Sequence, residues 1–517
     1  MTPMMGAVVA ALAAACAVVA LLLPGDAIRP DWPDLDGVLV AAAVAAVALL
    51  ALGRSRASRW TALGLAAAAA AWAVYCLAGD LRSGTPGSST GVLAVAAVVA
   101  VAAAALALDR SRRWPAVPLV LVLAAGTVTA VTVVPGLPVR SVTAGPAPAA
   151  PLADHVSGDP WSWTSPTGVR EVVAAGTGVA VAGSGGDITG LDGPTGAVRW
   201  TYARPGAHVR ALVATPDRAL LLASFAPGGG RDTGSHHLVV LDAFTGAAVH
   251  DGLLDEVLGD ADQLAPTAGV LPKAVYQGED DFRIEAVELR TGAGLWTWSA
   301  PDSCDSPFAL PASGRDVVLA PLRCDDHIAV LGLDERTGVQ RWEFRLPVSG
   351  PSEKRTDYFL HSSPGGETLS LSLRHTQAAA DVLLDARTGA VKSTLDSRVP
   401  ARVELGPSPL LERTENGETL SASVGNGVPV DLAACGSRLA HATTETAYWR
   451  LCSGPSGPFL HRQALDSSPA LSVPVAWPAL AEVAPSLLSG TRRHALVPAP
   501  GALVVVRAGA TPVLGFP

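Results

Sequence analysis

One nine-residue pattern, Asp/Glu-x-x-Thr-Gly-x-x-x-Trp, occurs five times between residues 192 and 393. Its threonines lie 50, 46, 46 and 51 residues apart. The last position is Trp in three copies, whereas the second copy has His250 and the fifth has Ser393. Self-similarity at a period of this length is typical of an architecture in which each copy forms one small unit and neighbouring units stack. The pattern therefore constrains the fold far more than the function.

Short apolar runs separated by Gly-rich breaks surround each copy. Around the first copy, four runs follow one another: Val169–Ala174, Val179–Ala182, Ile188–Leu191 and Ala197–Tyr202. Four short antiparallel strands, repeated every 46 to 51 residues, are typical of a propeller blade.

Each motif residue has a mechanical explanation. The Asp side chain accepts hydrogen bonds from turn amides, the Gly supplies the positive φ of a tight hairpin, and the Trp on the following strand packs against the next blade. We therefore interpret these residues as structural rather than as metal ligands or acid–base groups, and we predict no catalytic residue. They are Asp192, Thr195, Gly196 and Trp200; Asp242, Thr245 and Gly246; Glu288, Thr291, Gly292 and Trp296; Asp334, Thr337, Gly338 and Trp342; and Asp385, Thr388 and Gly389.

This motif resembles the pyrroloquinoline-quinone (PQQ) repeat, which joins the third and fourth strands of a blade, and the resemblance covers residues 161–395. It implies an all-β, PQQ-like propeller of four-stranded blades over residues 161–517, within the WD40/YVTN-like class. Later copies are worn, near Gly417–Leu432, Ala447–Leu465 and His494–Phe516. The remaining length favours eight blades, with seven as the alternative. Because Trp161–Thr164 precedes the first blade, we expect it to complete the last blade and close the ring.

The first 135 residues have a different character. They contain five apolar stretches without a charged residue: Met5–Leu23, Gly37–Leu52, Trp60–Gly79, Gly91–Leu108 and Pro115–Val134. Each is long enough, or nearly so, to cross a hydrocarbon core of roughly 30 Å as a helix. We predict an all-α transmembrane bundle of five helices over residues 1–135. A cleaved signal peptide is the alternative for the first stretch.

Loop charges orient this bundle. The loops Arg54–Arg59 and Arg110–Arg113 are basic, whereas Pro24–Asp36 carries four Asp and one Arg. Because basic loops stay in the cytoplasm, we predict a multi-pass plasma-membrane protein with a cytoplasmic N-terminus and an extracytoplasmic propeller. Residues 136–160 are rich in Pro and Ala, so we expect an unstructured linker that holds the propeller off the membrane.

Four cysteines in the repeat region form two pairs by position, Cys304 with Cys324 and Cys435 with Cys452. Each pair flanks a predicted turn almost symmetrically, and opposed strand positions suit disulfide geometry. An extracytoplasmic compartment preserves disulfides. We predict both bridges; a zinc site, with His327 as the one nearby His ligand, is the alternative.

Other residues give little indication of chemistry. His236 and His237 are adjacent, so on a strand they would point to opposite faces, and we interpret them as part of a solvated loop. The Gly-rich runs at 183–186 and 228–230 do not open a helix, which argues against a phosphate cradle. Residues 1–135 hold eight Arg and six Asp, or +2, so the net charge of −9 leaves −11 for the rest. This balance argues against nucleic acid or anionic lipid as the propeller's main partner.

Two resemblances concern function. The layout resembles that of membrane-bound quinoprotein glucose dehydrogenases, whose five spans precede a propeller that holds PQQ and calcium. Residues 161–517 are much shorter than that propeller, and its catalytic residues find no match here. The domain also resembles non-enzymatic PQQ-like propellers, such as the propeller subunit of the outer-membrane barrel-assembly machinery. The composition, with only three Lys, resembles that of a GC-rich, actinobacterium-like genome.

The sequence thus favours a non-catalytic extracytoplasmic propeller, anchored in the plasma membrane, that binds envelope proteins or an unknown small ligand as a scaffold. No cofactor is expected. Two alternatives stay open: a PQQ- and calcium-dependent dehydrogenase that passes electrons to membrane quinone, and an envelope sensor.

Overall fold

The computed structural model describes residues 2–23, 35–51, 55–108, 116–227, 236–254, 264–276, 282–301, 304–305, 312–324, 327–347, 357–374, 379–396, 401–406, 408–415, 418–423, 429–430, 435, 437–465, 469–476, 494–507 and 512–517. These residues form an N-terminal helical region and a large β-rich domain that resembles a propeller.

Five helices occupy the predicted apolar stretches: α1 (Thr2–Ala20), α2 (Leu35–Ala51), α3 (Arg56–Ser83), α4 (Ser88–Leu108) and α5 (Ala116–Val133). The Ser55 hydroxyl caps the start of α3, and Gly84 closes its end with a φ of 77°. Among the described residues, Arg56–Arg82 and Ser88–Ala105 are long and apolar enough to cross a bilayer. Length and composition thus indicate two spans, and the other three stay predictions.

Small residues bring the helices close together. A Cβ placed on Gly126 of α5 would lie 2.9 Å from Cγ1 of Val95 on α4, and one placed on Gly91 would lie 3.0 Å from the Ala130 carbonyl oxygen. α4 contacts each of the other four helices. The Ala- and Gly-rich composition therefore produces close helix packing, as is common where no long apolar side chains separate helices.

The described strands form eight antiparallel sheets, which we number one to eight in chain order. Sheets one to four contain β1 (Arg140–Val142), β3 (Val169–Ala175), β4 (Gly178–Gly183), β5 (Asp187–Asp192) and β6 (Val198–Ala203); β7 (Ala207–Ala214), β8 (Leu220–Pro227), β9 (His236–Asp242) and β10 (Ala248–Leu254); β11 (Val270–Tyr276), β12 (Phe282–Glu288) and β13 (Gly294–Ser299); and β14 (Cys304–Asp305), β15 (Ala312–Ser313), β16 (Val317–Cys324), β17 (His327–Asp334) and β18 (Gln340–Pro347).

Sheets five to eight contain β19 (Asp357–Ser362), β20 (Thr368–Arg374), β21 (Ala379–Asp385) and β22 (Val391–Asp396); β23 (Ala401–Glu404), β24 (Leu410–Glu415), β25 (Glu418–Ser423) and β26 (Pro429–Val430); β27 (Ser437–Thr443), β28 (Ala447–Gly454), β29 (Gly457–Ala464) and β30 (Leu471–Pro474); and β31 (His494–Ala499), β32 (Ala502–Arg507), β33 (Pro512–Phe516) and β2 (Trp161–Thr164).

Five of these sheets have the predicted four strands. Sheet one has five, because β1 pairs with β6. Sheet three has three strands within the described residues, and in sheet four the two short strands β14 and β15 both pair with β16.

The first and last strands of the β-rich domain meet in sheet eight. β2 pairs antiparallel with β33, so that Trp161 lies opposite Gly515 and Thr164 opposite Pro512. This pairing is the predicted one. It joins the two ends of the domain through four residue pairs between strands that are far apart in sequence. Neither of these two strands is therefore left unpaired.

The buried cores lie between adjacent sheets. Tyr202 of sheet one packs on Phe225 of sheet two, with ring centroids 5.9 Å apart. Val330 of sheet four and Val382 of sheet five share another fully buried cluster. Alternating apolar residues of each sheet therefore face a neighbouring sheet rather than one common centre.

Residues 136–160 do not form the predicted unstructured spacer. After β1 pairs with β6, the Ala144 N–H donates to the Thr245 carbonyl of sheet two at 2.9 Å. Asp154 accepts hydrogen bonds from the hydroxyl groups of Thr444 and Thr446 in sheet seven. The Pro/Ala-rich composition correctly indicated that no helix forms. It contained no sign of these backbone and carboxylate contacts, because their partners lie up to about 300 residues away.

Candidate functional site

The five motif turns share one geometry. In the second, fourth and fifth copies, one Asp oxygen accepts both the N–H and the hydroxyl of the motif Thr; for Asp242 and Thr245 both distances are 3.0 Å. In the first and third copies the Thr hydroxyl donates to the acidic side chain at 2.7 and 2.6 Å. The five motif glycines have φ between 68° and 72°. The acidic side chains thus serve to close the turns.

Two of these carboxylates are also held ionised. Burial by itself would raise the pKa of Asp334, but hydrogen bonds from Arg341 and Thr337 outweigh burial and hold the pKa below its ordinary value. At Asp385, burial is similarly outweighed by hydrogen bonds from Thr388, which lower the pKa. A general acid needs a raised pKa to carry its proton near neutral pH. Asp334 and Asp385 are therefore poorly suited to that role.

The motif tryptophans join neighbouring sheets by covering the motif glycine of the next sheet. A Cβ placed on Gly246 of sheet two would lie 2.6 Å from the indole ring of Trp200 in sheet one. Trp296 covers Gly338 in the same way, and Trp342 covers Gly389. Since any side chain on these glycines would overlap the indole, the glycine serves packing as well as the turn.

Hydrogen bonds fix three of these rings. The indole N–H of Trp200 donates to the Ala243 carbonyl at 3.0 Å, and that of Trp296 donates to Glu335 at 2.8 Å. Trp161 of sheet eight makes the equivalent bond, since its indole N–H donates to the Gly193 carbonyl of sheet one at 2.7 Å. Trp161 therefore supplies the interface between the first and last sheets.

The second copy departs from this pattern at the interface between sheets two and three. His250 lies over Gly292, in the position that Trp occupies in the first, third and fourth copies, and the imidazole fills less space than an indole. Its cross-strand neighbour is Val240, whereas Trp200 and Trp342 lie opposite Gly190 and Gly332. A cavity of about 80 Å³ opens beside His250.

A buried polar cluster lies between sheets one and two. The guanidinium of Arg204 is fully buried and bonds the Asp251 carboxylate, while Nδ1 of His237 lies 3.3 Å from the other Asp251 oxygen. Arg204 also stacks over Phe225, 5.8 Å from the ring centroid. The sequence-based interpretation of His237 as part of a solvated loop is therefore wrong. Its strand faces a neighbouring sheet, a contact that local sequence does not reveal.

Charge balance in this cluster favours an ionised Asp251. Burial would raise its pKa, but the hydrogen bond to His237 and the charge of Arg204 outweigh burial and lower the pKa. The pKa of the neighbouring Tyr202 is raised, chiefly because its hydroxyl is buried. Tyr202 therefore stays protonated, and it lies 3.4 Å from an Arg204 nitrogen.

The helical region contacts the β-rich domain directly beside this cluster. A Cβ placed on Gly84, at the end of α3, would lie 2.5 Å from the Pro205 carbonyl oxygen. A Cβ placed on Gly206 would lie 2.1 Å from the Arg82 carbonyl oxygen. Both glycines have positive φ, 77° and 90°. The two backbones thus meet at a distance that only glycine permits, in the segment that follows Arg204 in sequence.

Both predicted disulfides are present. Cys304 and Cys324 lie opposite each other on paired strands of sheet four, with Cα atoms 4.1 Å apart. Cys435 precedes β27 and bonds Cys452 on β28, with Cα atoms 5.3 Å apart. The first bridge joins two paired strands of one sheet, and the second joins β28 to the residue two positions before β27.

The remaining sequence candidates have these positions. Gly183–Gly186 forms a hairpin packed on Thr167 and Asp187, whose side chains bond each other at 2.7 Å. The Gly run at 228–230 lies outside the described residues. Within the described part of the chain, no group of three His, Cys, Asp or Glu side chains is arranged to hold a metal ion.

No protein-family model matches the chain, and no curated protein matches it in sequence. Solved structures that are similar include BamB from Moraxella catarrhalis, at 15% identity and a TM-score of 0.40, covering 69% of this chain and 98% of that one. The Dos1 propeller covers 56% of this chain and 75% of its own, at 11% identity and a TM-score of 0.31. Dihydro-heme d1 dehydrogenase NirN in complex with DHE covers 60% and 67%, at 15% identity and a TM-score of 0.33.

Sequence reasoning missed three features. Trp161 was recognised as a closing strand but not as an interface Trp, because its motif acid and Thr-Gly are absent from the preceding sequence. The Gly opposite Trp200 and Trp342 has a signal in the sequence, since Gly190 and Gly332 both stand two residues before the motif Asp. The pairing of Arg204 with Asp251 had none, because the partners lie 47 residues apart on different sheets.

Proposed function

We propose that this chain is a multi-pass plasma-membrane protein whose extracytoplasmic, eight-bladed propeller acts as a non-catalytic binding scaffold for envelope proteins. The observation that carries the proposal is the backbone contact between Gly84 and Pro205. This contact fixes the β-rich domain beside α3, and residues 140–158 pack on the surface of the domain. Both features favour one defined orientation of the domain over free movement on a flexible linker. A fixed orientation suits a scaffold.

The arrangement of helix ends supports the proposed orientation. The Ser88 hydroxyl, at the start of α4, lies 3.5 Å from the Val131 carbonyl near the end of α5. The α3–α4 turn and the end of α5 therefore lie on one side, which is the side of the β-rich domain. Basic loops flank the opposite ends of these helices, as a cytoplasmic side requires.

Exposed apolar residues supply a surface for protein partners. Five of the eight sheets expose an aliphatic side chain close to the start of the strand that follows the β-turn or loop, which is the outermost strand in four of them and β6 in sheet one. Val339 is 64% exposed, and Val198 and Val391 are 50% and 52% exposed. Leu295 and Leu471 are exposed in the same way. These exposed aliphatic side chains are the positions at which we propose that a protein partner binds.

Photo-crosslinking in intact cells tests the scaffold function. A photoreactive amino acid at Val339 is expected to capture a discrete envelope protein, and the same residue at the neighbouring exposed Gln340 serves as the control for proximity alone. The scaffold function is supported if position 339 reproducibly crosslinks to one partner and if this crosslink is lost when Val198→Glu and Val391→Glu are both introduced. The absence of any partner at 198, 339 and 391 contradicts it.

We also propose that the protein functions without a bound cofactor. Titration of the purified protein with PQQ and calcium, followed by a dye-linked assay with sugars and alcohols, tests this part. Stoichiometric PQQ binding with turnover would replace the scaffold by a quinoprotein dehydrogenase.

A further inference from the structure

The inter-sheet cavity beside His250 combines two substitutions in the repeat. His250 stands where other copies have Trp, and Val240 stands where sheets one and four have Gly. In sheets one and four, a Cβ on the cross-strand Gly would lie 2.2 Å from the indole, and in sheet three the small residue Ala286 lies opposite Trp296. The second copy replaces both members of this pair. The cavity is therefore a built feature of this interface and not the result of one missing side chain.

The lining of this cavity has an apolar and a charged part. Leu238, Val240, Leu271, Val287 and Leu289 provide apolar walls, while His250, Lys273 and Glu288 provide ionisable groups and Gly292 completes the lining. Glu288 already accepts the Thr291 hydroxyl at 2.6 Å in its motif turn. Within the described residues, the side chains of Lys273 and His250 have neither a hydrogen-bonding nor an ionic partner.

We propose that the cavity between sheets two and three binds a small carboxylate with a short apolar tail. Lys273 binds the carboxylate as a cation, His250 adds a hydrogen bond, and the leucine and valine walls enclose the tail. Such a site is independent of the protein contacts proposed for the outer strands, since it lies between two sheets rather than on their exposed edges.

The size of the cavity limits the ligand. A volume of about 80 Å³ suits a ligand of a few non-hydrogen atoms. An apolar tail contacts the leucine and valine walls, and a carboxylate contacts Lys273. A chain of about four carbons that ends in a carboxylate satisfies both parts.

Butyrate is the probe for this site, used with the full-length, disulfide-intact protein in detergent. Calorimetric titration and the thermal midpoint are measured with sodium butyrate, with n-butanol as the tail without the charge, and with sodium chloride as the ionic control. We expect saturable butyrate binding with a raised midpoint, and no comparable effect of the other two compounds. Removal of one charged hydrogen-bond partner in Lys273→Met is expected to weaken butyrate binding by about 10-fold to 100-fold.

A second variant tests the cavity itself. Val240→Gly/His250→Trp transplants the Gly–Trp pair of sheets one and four, fills the cavity, and is expected to abolish butyrate binding while the thermal midpoint without ligand stays equal or rises. If this filled variant binds butyrate as the wild type does, the site is elsewhere and the proposal is wrong. It is also overturned if n-butanol binds as well as butyrate, if Lys273→Met leaves butyrate affinity unchanged, or if butyrate does not bind at all.

Discussion

Trp200 covers Gly246, and this contact between neighbouring sheets recurs along the repeat. The indole is 2% exposed, donates its N–H to Ala243, and leaves no room for a Cβ on the glycine. Two motif residues that are 46 positions apart in sequence therefore form one interface. The interface explains why the spacing between copies is so regular.

Gly246→Ala is expected to destabilise the β-rich domain by about 2 kcal/mol or more, because a Cβ would overlap the Trp200 ring and the φ of 72° suits only glycine. Urea unfolding followed by tryptophan fluorescence measures the change. Gly294→Ala is the control, since a Cβ there meets no atom within 4 Å and φ is ordinary. An equal loss of stability in both variants would contradict the packing explanation.

The hydrogen bond of the indole is separable from its packing. Trp296→Phe removes a bond of 2.8 Å to the Glu335 carbonyl, so we expect a loss of about 1 kcal/mol beyond the loss of ring area. The indole N–H of Trp342 is buried without a partner in the described structure. Trp342→Phe therefore serves as the matched variant and should cost less. Equal unfolding free energies for the two variants would mean that the bond to Glu335 contributes nothing.

Asp251 gives the domain a defined pH dependence. Because its pKa in the folded state lies below the ordinary value of 3.8, its contribution to stability is fully present above that value and is lost as pH falls through the lowered pKa. Asp251→Asn leaves the buried Arg204 charge without its partner. We expect it to cost about 2 kcal/mol at pH 7, less than for a fully buried pair because the Asp251 side chain is 35% exposed.

The measurement is the unfolding free energy of both proteins from pH 7 to pH 2. The difference between wild type and Asp251→Asn should shrink below the ordinary pKa, as the wild-type carboxylate takes up its proton. A difference that stays constant down to pH 2 would show that charge is not the cause.

The two disulfides close loops of 20 and 17 residues. Cys304→Ser/Cys324→Ser and Cys435→Ser/Cys452→Ser are each expected to cost about 2–4 kcal/mol, because the bridges restrict the unfolded chain. Thermal unfolding in the presence and absence of a reducing agent measures this. Each double variant should lose part of its response to the reductant, and a full response in either variant would contradict the pairing.

How far the sequence predicts this structure depends on whether a contact repeats. The turn closed by Asp242 and Thr245 is predictable because five copies report the same local geometry. The pairing of Trp161 with the C-terminal strand is predictable because an unpaired strand exposes backbone N–H and C=O groups that need partners. In contrast, the contacts of Asp154 with Thr444, and of Gly84 with Pro205, occur once each between distant segments, and nothing in local composition marks them.

The same distinction applies to the candidate sites. The change from Trp to His at position 250 is visible in the aligned copies. The cavity depends also on Val240 and Lys273, and only the folded structure shows that these two residues lie beside His250. The sequence indicates a solvated loop at His237 because adjacent His236 and His237 would point to opposite faces of a strand. The burial of His237 results from the approach of sheet one, which brings Arg204 to Asp251.

The proposed scaffold requires that the helical region holds the β-rich domain in one orientation. Pulsed electron paramagnetic resonance between spin labels on Arg82→Cys and Ser184→Cys, both exposed positions beside the Gly84–Pro205 contact, tests it most directly. The labels are placed in a Cys16→Ala/Cys76→Ala background, in reconstituted membranes. We expect one narrow distance distribution, which broadens when Gly206→Trp disrupts the contact. A broad distribution in the protein without that change would contradict it, because it would show a domain that moves freely on a tether.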